Sequence, residues 1–346
     1  GHGLPDRLNE FHPGNLLFVI IDENVDQLHG ERIRTWLERT GMQARFYKVP
    51  SGEPSKSEEE WSRIVSYLLE NEVRRNTPLM AVGGGVTGDL AGFAAATTLR
   101  GIPLIHLPTT LLAMVDSSIG GKTGINHSMG KNLIGSFYQP NAVIMDTGFL
   151  ETLPEKEWAN GVSEILKYAS IQMPSIFEEC ELFFLKRDKR ADSPLLQSLI
   201  HKSVQIKASI VEEDEKESGV RAFLNFGHTF AHSLEKSAGY DKITHGEAVF
   251  IGMLAAARMS RYQGSDIDEI RFRPFEPLYS FDRKLFELPV ERLLENMNSD
   301  KKKRSEQHRL VLLRSWGAPY IHETDDRALI RQAWHETLQY LKNQSE

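Results

Sequence analysis

The chain has 346 residues, 40% of them hydrophobic and 26% charged, and a formal net charge of −7. That length suits two cores better than one, and the negative charge argues against a nucleic-acid-binding protein while leaving room for a local basic pocket. A single cysteine, Cys180, excludes an intramolecular disulfide and fits a reducing, cytoplasmic setting; apolar runs such as LLFVII (16–21) are too short to span a bilayer, and no signal segment opens the chain.

LLFVIID (16–22) reads as a buried strand running into Asp22 and Glu23. ARFYKV (44–49) alternates like a second strand, and 57–75 reads as a helix with Trp61, Ile64, Val65, Leu68 and Leu69 on one side. LMAVGGG (79–85) is an apolar strand breaking into glycines, followed by an Ala-rich helix over 88–98. PLIHLPTT (103–110) and NAVIMD (141–146) are further strands, ending in polar or acidic residues. Strands alternating with helices predict an α/β domain with a mainly parallel sheet over residues 1–150, with ligands outside the carboxyl ends of its strands. Beyond 150 the apolar spacing is helical, through 154–186, 194–212, 226–239, 246–262, 289–298 and 326–342, and RLVLL (309–313) is the main strand signal. Residues 151–346 are therefore read as a second, mostly α-helical domain, with an active site expected between the two.

VGGGVTGD (82–89) meets G-x-G-x-x-G at Gly83, Gly85 and Gly88, with Gly84 and Val86 between them. Glycines at a strand-to-helix turn let a diphosphate approach backbone N–H groups, although a tight packed crossover would also use them. GKTGINHSMGKN (121–132) is not a P-loop, because Asp116 and Ile125 stand where the two registers need their first glycine. Lys122 and Lys131 nevertheless lie in chain that can bend around an anion. Asp22 ends a strand and suits either a ribose contact or a helix cap. Glu53 and Lys56 follow another strand end, and Thr109 and Thr110 finish a third on the same edge. Together these residues point to a dinucleotide site.

FGHTFAHSLE followed by THGEA holds three histidines, His228, His232 and His245, out of 12 in the chain. His228 and His232 are four apart and share a helix face. Neutral imidazoles with a carboxylate bind borderline metals, and Glu164 is a candidate because it interrupts an apolar helix face in GVSEILKY, one turn before Lys167 and Tyr168. Thr229 replaces the glutamate of H-E-x-x-H, so a metalloprotease lacks its base. Spacing does not decide which imidazoles bind metal and which handles protons. Lys207 precedes an acidic run (212–217) read as surface, Arg221 and Asn225 lead into the histidines, and 301–304 (KKKR) is a cationic run that suits a solvated face or phosphate contacts.

SGEPSKS, AVGGGVTGDLAGFAAATTLRGI, LPTTLLAMVDSSIGGKTGINHSMGKNLIGSF, GVSEILKY, LNFGHTFAHSLE, THGEAVFIGM and DKK before RLVLL occur in this order over residues 16–320, and together they resemble the 3-dehydroquinate synthases, sugar-phosphate cyclases of the shikimate pathway. The resemblance implies an enzyme that uses NAD and one divalent metal, zinc or cobalt, to turn 3-deoxy-D-arabino-heptulosonate 7-phosphate into 3-dehydroquinate and phosphate. It implies metal ligation by Glu164, His228 and His245. It implies substrate and catalytic roles for Lys122, Lys131, Asn132, Lys167, Lys207, Arg221, Asn225, His232, Asp116 and Lys302, and for Arg100 across a homodimer. Cofactor contacts fall on Asp22, Glu53, Lys56, Gly83, Gly84, Gly85, Val86, Asp89, Thr109, Thr110, Lys122 and Lys131. No nucleic-acid or membrane partner is implied. A valiolone- or deoxy-inosose-forming cyclase and a metal-dependent polyol dehydrogenase are the competing readings. Relatives carry an additional strand-like opening before the first strong strand, and the connection 264–281 is more aromatic and basic than the family's linker.

Overall fold

The computed structural model describes residues 16–185, 191–217, 219–239, 242–301 and 307–344. The chain forms two compact units, the first running to Leu153 and including the short segment up to Ser193 that interrupts the second, which begins at Pro154 and resumes at Pro194.

In the first unit, LLFVIID forms strand β1 (Leu16–Asp22), whose interior is buried on both faces as a central parallel strand requires. Helix α1 (Glu23–Glu38) follows, capped by the Asp22 carboxylate, which accepts the N–H groups of Asn24 and Val25. Next come β2 (Gln43–Val49), α2 (Glu58–Glu70), β3 (Leu79–Gly83), α3 (Gly85–Thr97) and β4 (Leu104–Pro108). Strands β5 (Lys122–His127) and β6 (Gly130–Phe137) form an antiparallel hairpin before β7 (Ala142–Val143) rejoins the main sheet. The sheet order is β2-β1-β3-β4-β7, and all four pairings are parallel. The chain leaves β1 toward one edge and returns at β3 on the other side, which creates a switch point between their carboxyl ends, where open α/β sheets bind ligands.

Three sequence expectations change here. The helix expected over 57–75 stops at Glu70, just before the left-handed Glu72 (φ 59°). The strand expected over 141–146 pairs only at Ala142 and Val143. The glycine- and lysine-rich stretch 121–132, read as a bendable loop, is the hairpin. Gly124 and Gly135 let its strands approach so closely that a Cβ on Gly135 would lie 2.1 Å from the Thr123 carbonyl oxygen.

The second unit holds α4 (Glu155–Ile171), α5 (Ile176–Cys180), α6 (Pro194–Glu213), α7 (His228–Ala238), α8 (His245–Tyr262), α9 (Val290–Lys301) and α10 (Arg327–Gln344). A hairpin of β8 (His308–Ser315) and β9 (Ala318–Thr324) precedes the last helix, and β9 had no apolar run to announce it. Helices α4 and α8 are buried almost all round, which is how a central helix differs from a surface one. The connection 264–281 contains a short-pitched helical run (Glu269–Leu278) interrupted by Pro274 and Pro277. Phe272, Phe275 and Tyr279 are buried in the core: Phe272 meets Phe177 at 5.6 Å and Tyr279 meets Phe250 at 4.4 Å, centroid to centroid. No helix among the described residues is long and apolar enough to cross a membrane.

Candidate functional site

The first unit carries a crevice at its switch point. Gly84 occupies the cap position of α3, and no side chain caps that helix. Helix N–H groups and the positive end of the helix dipole at such a position suit a diphosphate. None of Gly83, Gly84, Gly85 or Gly88 has a positive φ, so backbone conformation does not demand glycine here. Crowding does. A Cβ on Gly83 would lie 2.7 Å from Thr87, one on Gly84 3.1 Å from Thr110 Cγ2, and one on Gly85 2.9 Å from Ser117 Oγ. The Thr109 and Ser117 hydroxyl oxygens are buried beside this turn with no hydrogen-bond partner among the described residues. Orphaned hydroxyls at a switch point are what a polar ligand satisfies, so the cradle fits a dinucleotide. Ser117 escaped the sequence reading, although it adjoins Asp116 in the π-type turn Ala113–Ser117. Beneath the turn lies His106, whose burial pushes its pKa down to about 4.

Around this crevice the hairpin and the turn after β2 form one connected group. Ser51 donates to Asp22 Oδ1 at 2.7 Å, tying the second strand end to the first. Lys56, 4% exposed, pairs with Asp89 of α3. Asn126 donates to Glu53 Oε1 at 2.7 Å and accepts the Asn132 N–H at 3.0 Å, while Lys131 Nζ stands 4.0 Å from Glu53. The structure thus brings together Asp22, Glu53, Lys56, Asp89, Lys131 and Asn132, with Ser51 of the same polar turn and Asn126, which the sequence did not single out, as linkers. Lys122 is exposed at the start of β5, after Gly120 and Gly121, whose φ of 95° and 66° do require glycine. Arg100 is exposed at the end of α3, beyond Leu99; both are left-handed, with φ of 67° and 52°.

The second unit carries a donor cluster. Glu164 of α4 is fully buried, and its Oε1 lies 3.5 Å from His228 Nε2 and 3.6 Å from His245 Nε2. One ligand atom from each of the three residues falls within 4.8 Å of the others. His232, one turn along α7, lies outside this triangle and meets His228 ring to ring, at 5.8 Å. Its residue is exposed. Burial pushes the His228 pKa down to about 3 against the pull of Glu164, which keeps the ring neutral and able to donate a lone pair. Burial would also lower His245, but the carboxylates of Glu164 and Glu235 outweigh it and hold that ring well above its ordinary value. Two imidazoles and one carboxylate suit zinc or cobalt, so the donor set fits a divalent metal.

Two close helix approaches build this cluster. A Cβ on Gly246 would lie 2.4 Å from Asn160 Cα, which brings α8 against α4, and Asn160 Oδ1 accepts the Gly246 N–H at 3.1 Å. A Cβ on Gly252 would lie 2.2 Å from the Gly227 carbonyl oxygen, which brings α8 against the start of α7. Ser163, next to Glu164, donates to the Gly246 carbonyl at 2.7 Å and meets the Tyr279 hydroxyl at 2.7 Å. Glycines beside histidines in NFGH and HGEA were the sequence signal for these contacts.

Other expected residues gather in the same unit. Lys167 is buried and ion-paired with Glu164, Lys207 of α6 is buried, and Arg221 is 1% exposed. The acidic run 212–217 is not wholly surface: Asp214 is buried and accepts the N–H groups of Gly219 and Arg221. Asn225 donates to Glu217 Oε1 at 2.9 Å. Lys302, with the rest of the cationic run after Lys301, lies outside the described residues.

Residues 46–160 match the sequence profile of the 3-dehydroquinate synthase N-terminal region, and 161–303 match its C-terminal region. The chain belongs to the 3-dehydroquinate synthase family. A 3-dehydroquinate synthase of Nitrosospira multiformis is 42% identical over 339 residues, covering 96% of this chain and 91% of the relative. Among solved structures, 2-epi-5-epi-valiolone synthase from Streptomyces hygroscopicus, with NAD+ and Zn2+ bound, superposes with a TM-score of 0.84 at 25% identity, covering 94% of this chain and 92% of its own. A 2-deoxy-scyllo-inosose synthase complexed with carbaglucose-6-phosphate, NAD+ and Co2+ gives 0.81 at 25% identity, covering 96% and 94%. The two-unit architecture is thus shared with sugar-phosphate cyclases.

Proposed function

We propose that this protein is a 3-dehydroquinate synthase, converting 3-deoxy-D-arabino-heptulosonate 7-phosphate to 3-dehydroquinate and inorganic phosphate. The observation that carries the reading is the convergence of Glu164, His228 and His245 beside the buried Lys167, in a chain of this family. Glu164, His228 and His245 would hold the metal, and the turn at 83–86 with Asp22, Glu53, Lys56, Asp89, Thr109 and Thr110 would hold NAD. When bound, NAD would supply reversible hydride acceptance at the substrate's C5, and the divalent metal would supply Lewis acidity at that carbon's hydroxyl.

The chain's own residues do the rest. Lys167, Lys207, Arg221 and Asn225 present positive charge and hydrogen-bond donors to an anionic substrate, from positions rigid enough to orient it. Burial of Lys167, Lys207 and Arg221 strengthens their interactions, because little water screens them. Lys122, Lys131, Asn132 and His232 serve the phosphate, whose own oxygen accepts the C6 proton as the C–O bond to phosphorus-bearing oxygen breaks. His232, exposed and outside the donor triangle, is suited to carry protons. Asp116 adjoins the cofactor cradle. Arg100 acts across a homodimer on the neighbouring subunit's substrate. Reduction at C5, ring opening and intramolecular aldol closure complete the reaction with no net change in NAD.

Incubation with the heptulosonate phosphate, NAD and Zn2+ or Co2+ tests the reading. Phosphate and the carbocycle, followed by NMR, should form in equal amounts over many turnovers at constant total NAD. Steady NADH accumulation would instead mark a dehydrogenase, and turnover only of sugar phosphates lacking the carboxylate would mark another cyclase. For Arg100, mixing Arg100→Ala with Lys167→Ala protein should restore part of the activity through hybrid dimers; demonstrated subunit exchange without recovery would remove the cross-subunit role.

A further inference from the structure

We infer that Glu235 is a positioning residue for the metal centre, acting through the ring of His245; the inference rests on the reading of Glu164, His228 and His245 as metal ligands. Glu235 lies on α7, seven residues beyond His228, so the two share a helix face. Its side chain is 8% exposed, and its Oε1 lies 3.3 Å from His245 Nδ1. The other ring nitrogen, Nε2, is the one 3.6 Å from Glu164 Oε1. An ionised carboxylate can only accept a hydrogen bond, so it fixes the proton of His245 on Nδ1 and turns the Nε2 lone pair toward Glu164.

His228 is held by the same logic with a different partner. Its Nδ1 meets the Phe226 carbonyl oxygen at 3.2 Å, again leaving Nε2 toward Glu164. One histidine is oriented by main chain, which side-chain mutation cannot remove. The other is oriented by a buried carboxylate, which mutation can. A carboxylate is costly to bury unless it is satisfied, and the imidazole of a ligand is one of the groups it faces. Residue 235 therefore sets the tautomer and aim of His245 and adds negative charge behind it, both of which strengthen binding of a cation.

The test uses full-length wild type, Glu235→Ala and Glu235→Gln, each stripped of metal. Co2+ and Zn2+ affinities are measured by competition with a chromophoric chelator, the Co2+ absorption spectrum is recorded, and NAD affinity and thermal midpoint are taken as controls. Wild type should bind one equivalent. Glu235→Ala should bind about 10- to 100-fold more weakly, the range for losing such an outer partner, with an altered Co2+ spectrum and NAD affinity within about twofold. Glu235→Gln, which keeps the acceptor oxygen but not the charge, should fall between the two and preserves the comparison if the alanine variant does not fold. Unchanged metal affinity and spectrum in either folded variant, set against a wild type that binds metal, overturns the role of Glu235 alone. A wild type that binds neither ion overturns this inference together with the metal reading beneath it.

Discussion

Glycines draw the chain close to itself in both units, but they meet different neighbours. In the turn from β3 to α3, added Cβ atoms at 83, 84 and 85 would meet side chains, those of Thr87, Thr110 and Ser117. In the helical unit, Cβ atoms at 246 and 252 would meet backbone, Asn160 Cα at 2.4 Å and the Gly227 carbonyl oxygen at 2.2 Å. A threonine or serine can turn to another rotamer at modest cost. Backbone inside a packed helix pair cannot move unless the whole helix moves. The turn from β3 to α3 is therefore locally adjustable, whereas the donor triangle depends on helix-to-helix distances that a single methyl group would change.

The sharpest way to break this contrast is Gly252→Ala. It should destabilise by about 3 kcal/mol or more, the upper range for overpacking, and metal content after dialysis should fall well below one equivalent per chain. Wild-type stability in urea with full metal occupancy would show that α7 and α8 can separate freely, and the contrast would be gone. His228→Ala is the companion that leaves the packing alone: the fold and NAD binding should persist while metal is lost, as analysis of the dialysed protein would report.

A pH titration probes the floor of the turn from β3 to α3. His106 has a folded-state pKa of about 4 against an ordinary 6.5, so the unfolded chain takes up the proton first as pH falls. Its contribution is complete above about pH 6.5 and is lost between there and pH 4, amounting to about 3 kcal/mol at about 1.4 kcal/mol per unit. His106→Leu should flatten that part of the stability profile in urea melts from pH 4 to 7. An unaltered profile would mean that the crevice floor is wet.

Gly85→Ala comes next. With Ser117 free to rotate, it should cost about 1 kcal/mol and weaken NAD in calorimetry; a loss as large as that of Gly252→Ala would erase the distinction between side-chain and backbone neighbours. The smallest effect is expected for Tyr279→Phe. The single proton of Ser163 goes to the Gly246 carbonyl, so Tyr279 is the donor of their mutual bond, and its deletion should cost about 1 kcal/mol by thermal melting with little change in metal affinity.

The same contrast explains what the sequence made legible. Strands β1, β3 and β4 announced themselves because buried parallel strands are continuous apolar runs. Helix α1 did not, since its buried positions, Gly30, Ile33, Trp36 and Leu37, crowd into its second half. The β5–β6 hairpin was masked by glycines that serve cross-strand approach and by lysines and asparagines that serve contacts. His228 and His232 were placed on one helix face by spacing alone, yet periodicity within a helix says nothing about which side chains of two other helices come to meet it. Glu164 and His245 join His228 through Gly246 and Gly252, and only a resemblance could name that set from sequence. Asn126, Ser163 and Glu235 stayed hidden because polar residues that hold others in place carry no periodic signature.

The end of α3 shows what a fold optimised only for stability would have discarded. Leu99 and Arg100 both sit in the left-handed region, which disfavours a side chain by roughly 1–2 kcal/mol per residue. Leu99 packs against the core, so its side chain offsets part of that penalty. Arg100 is exposed and has no such compensation, so Arg100→Gly should make the isolated chain more resistant to heat. A long cation held on a backbone that would relax around glycine is conformational energy kept in reserve at the surface, and its return has to come from whatever anion the guanidinium meets.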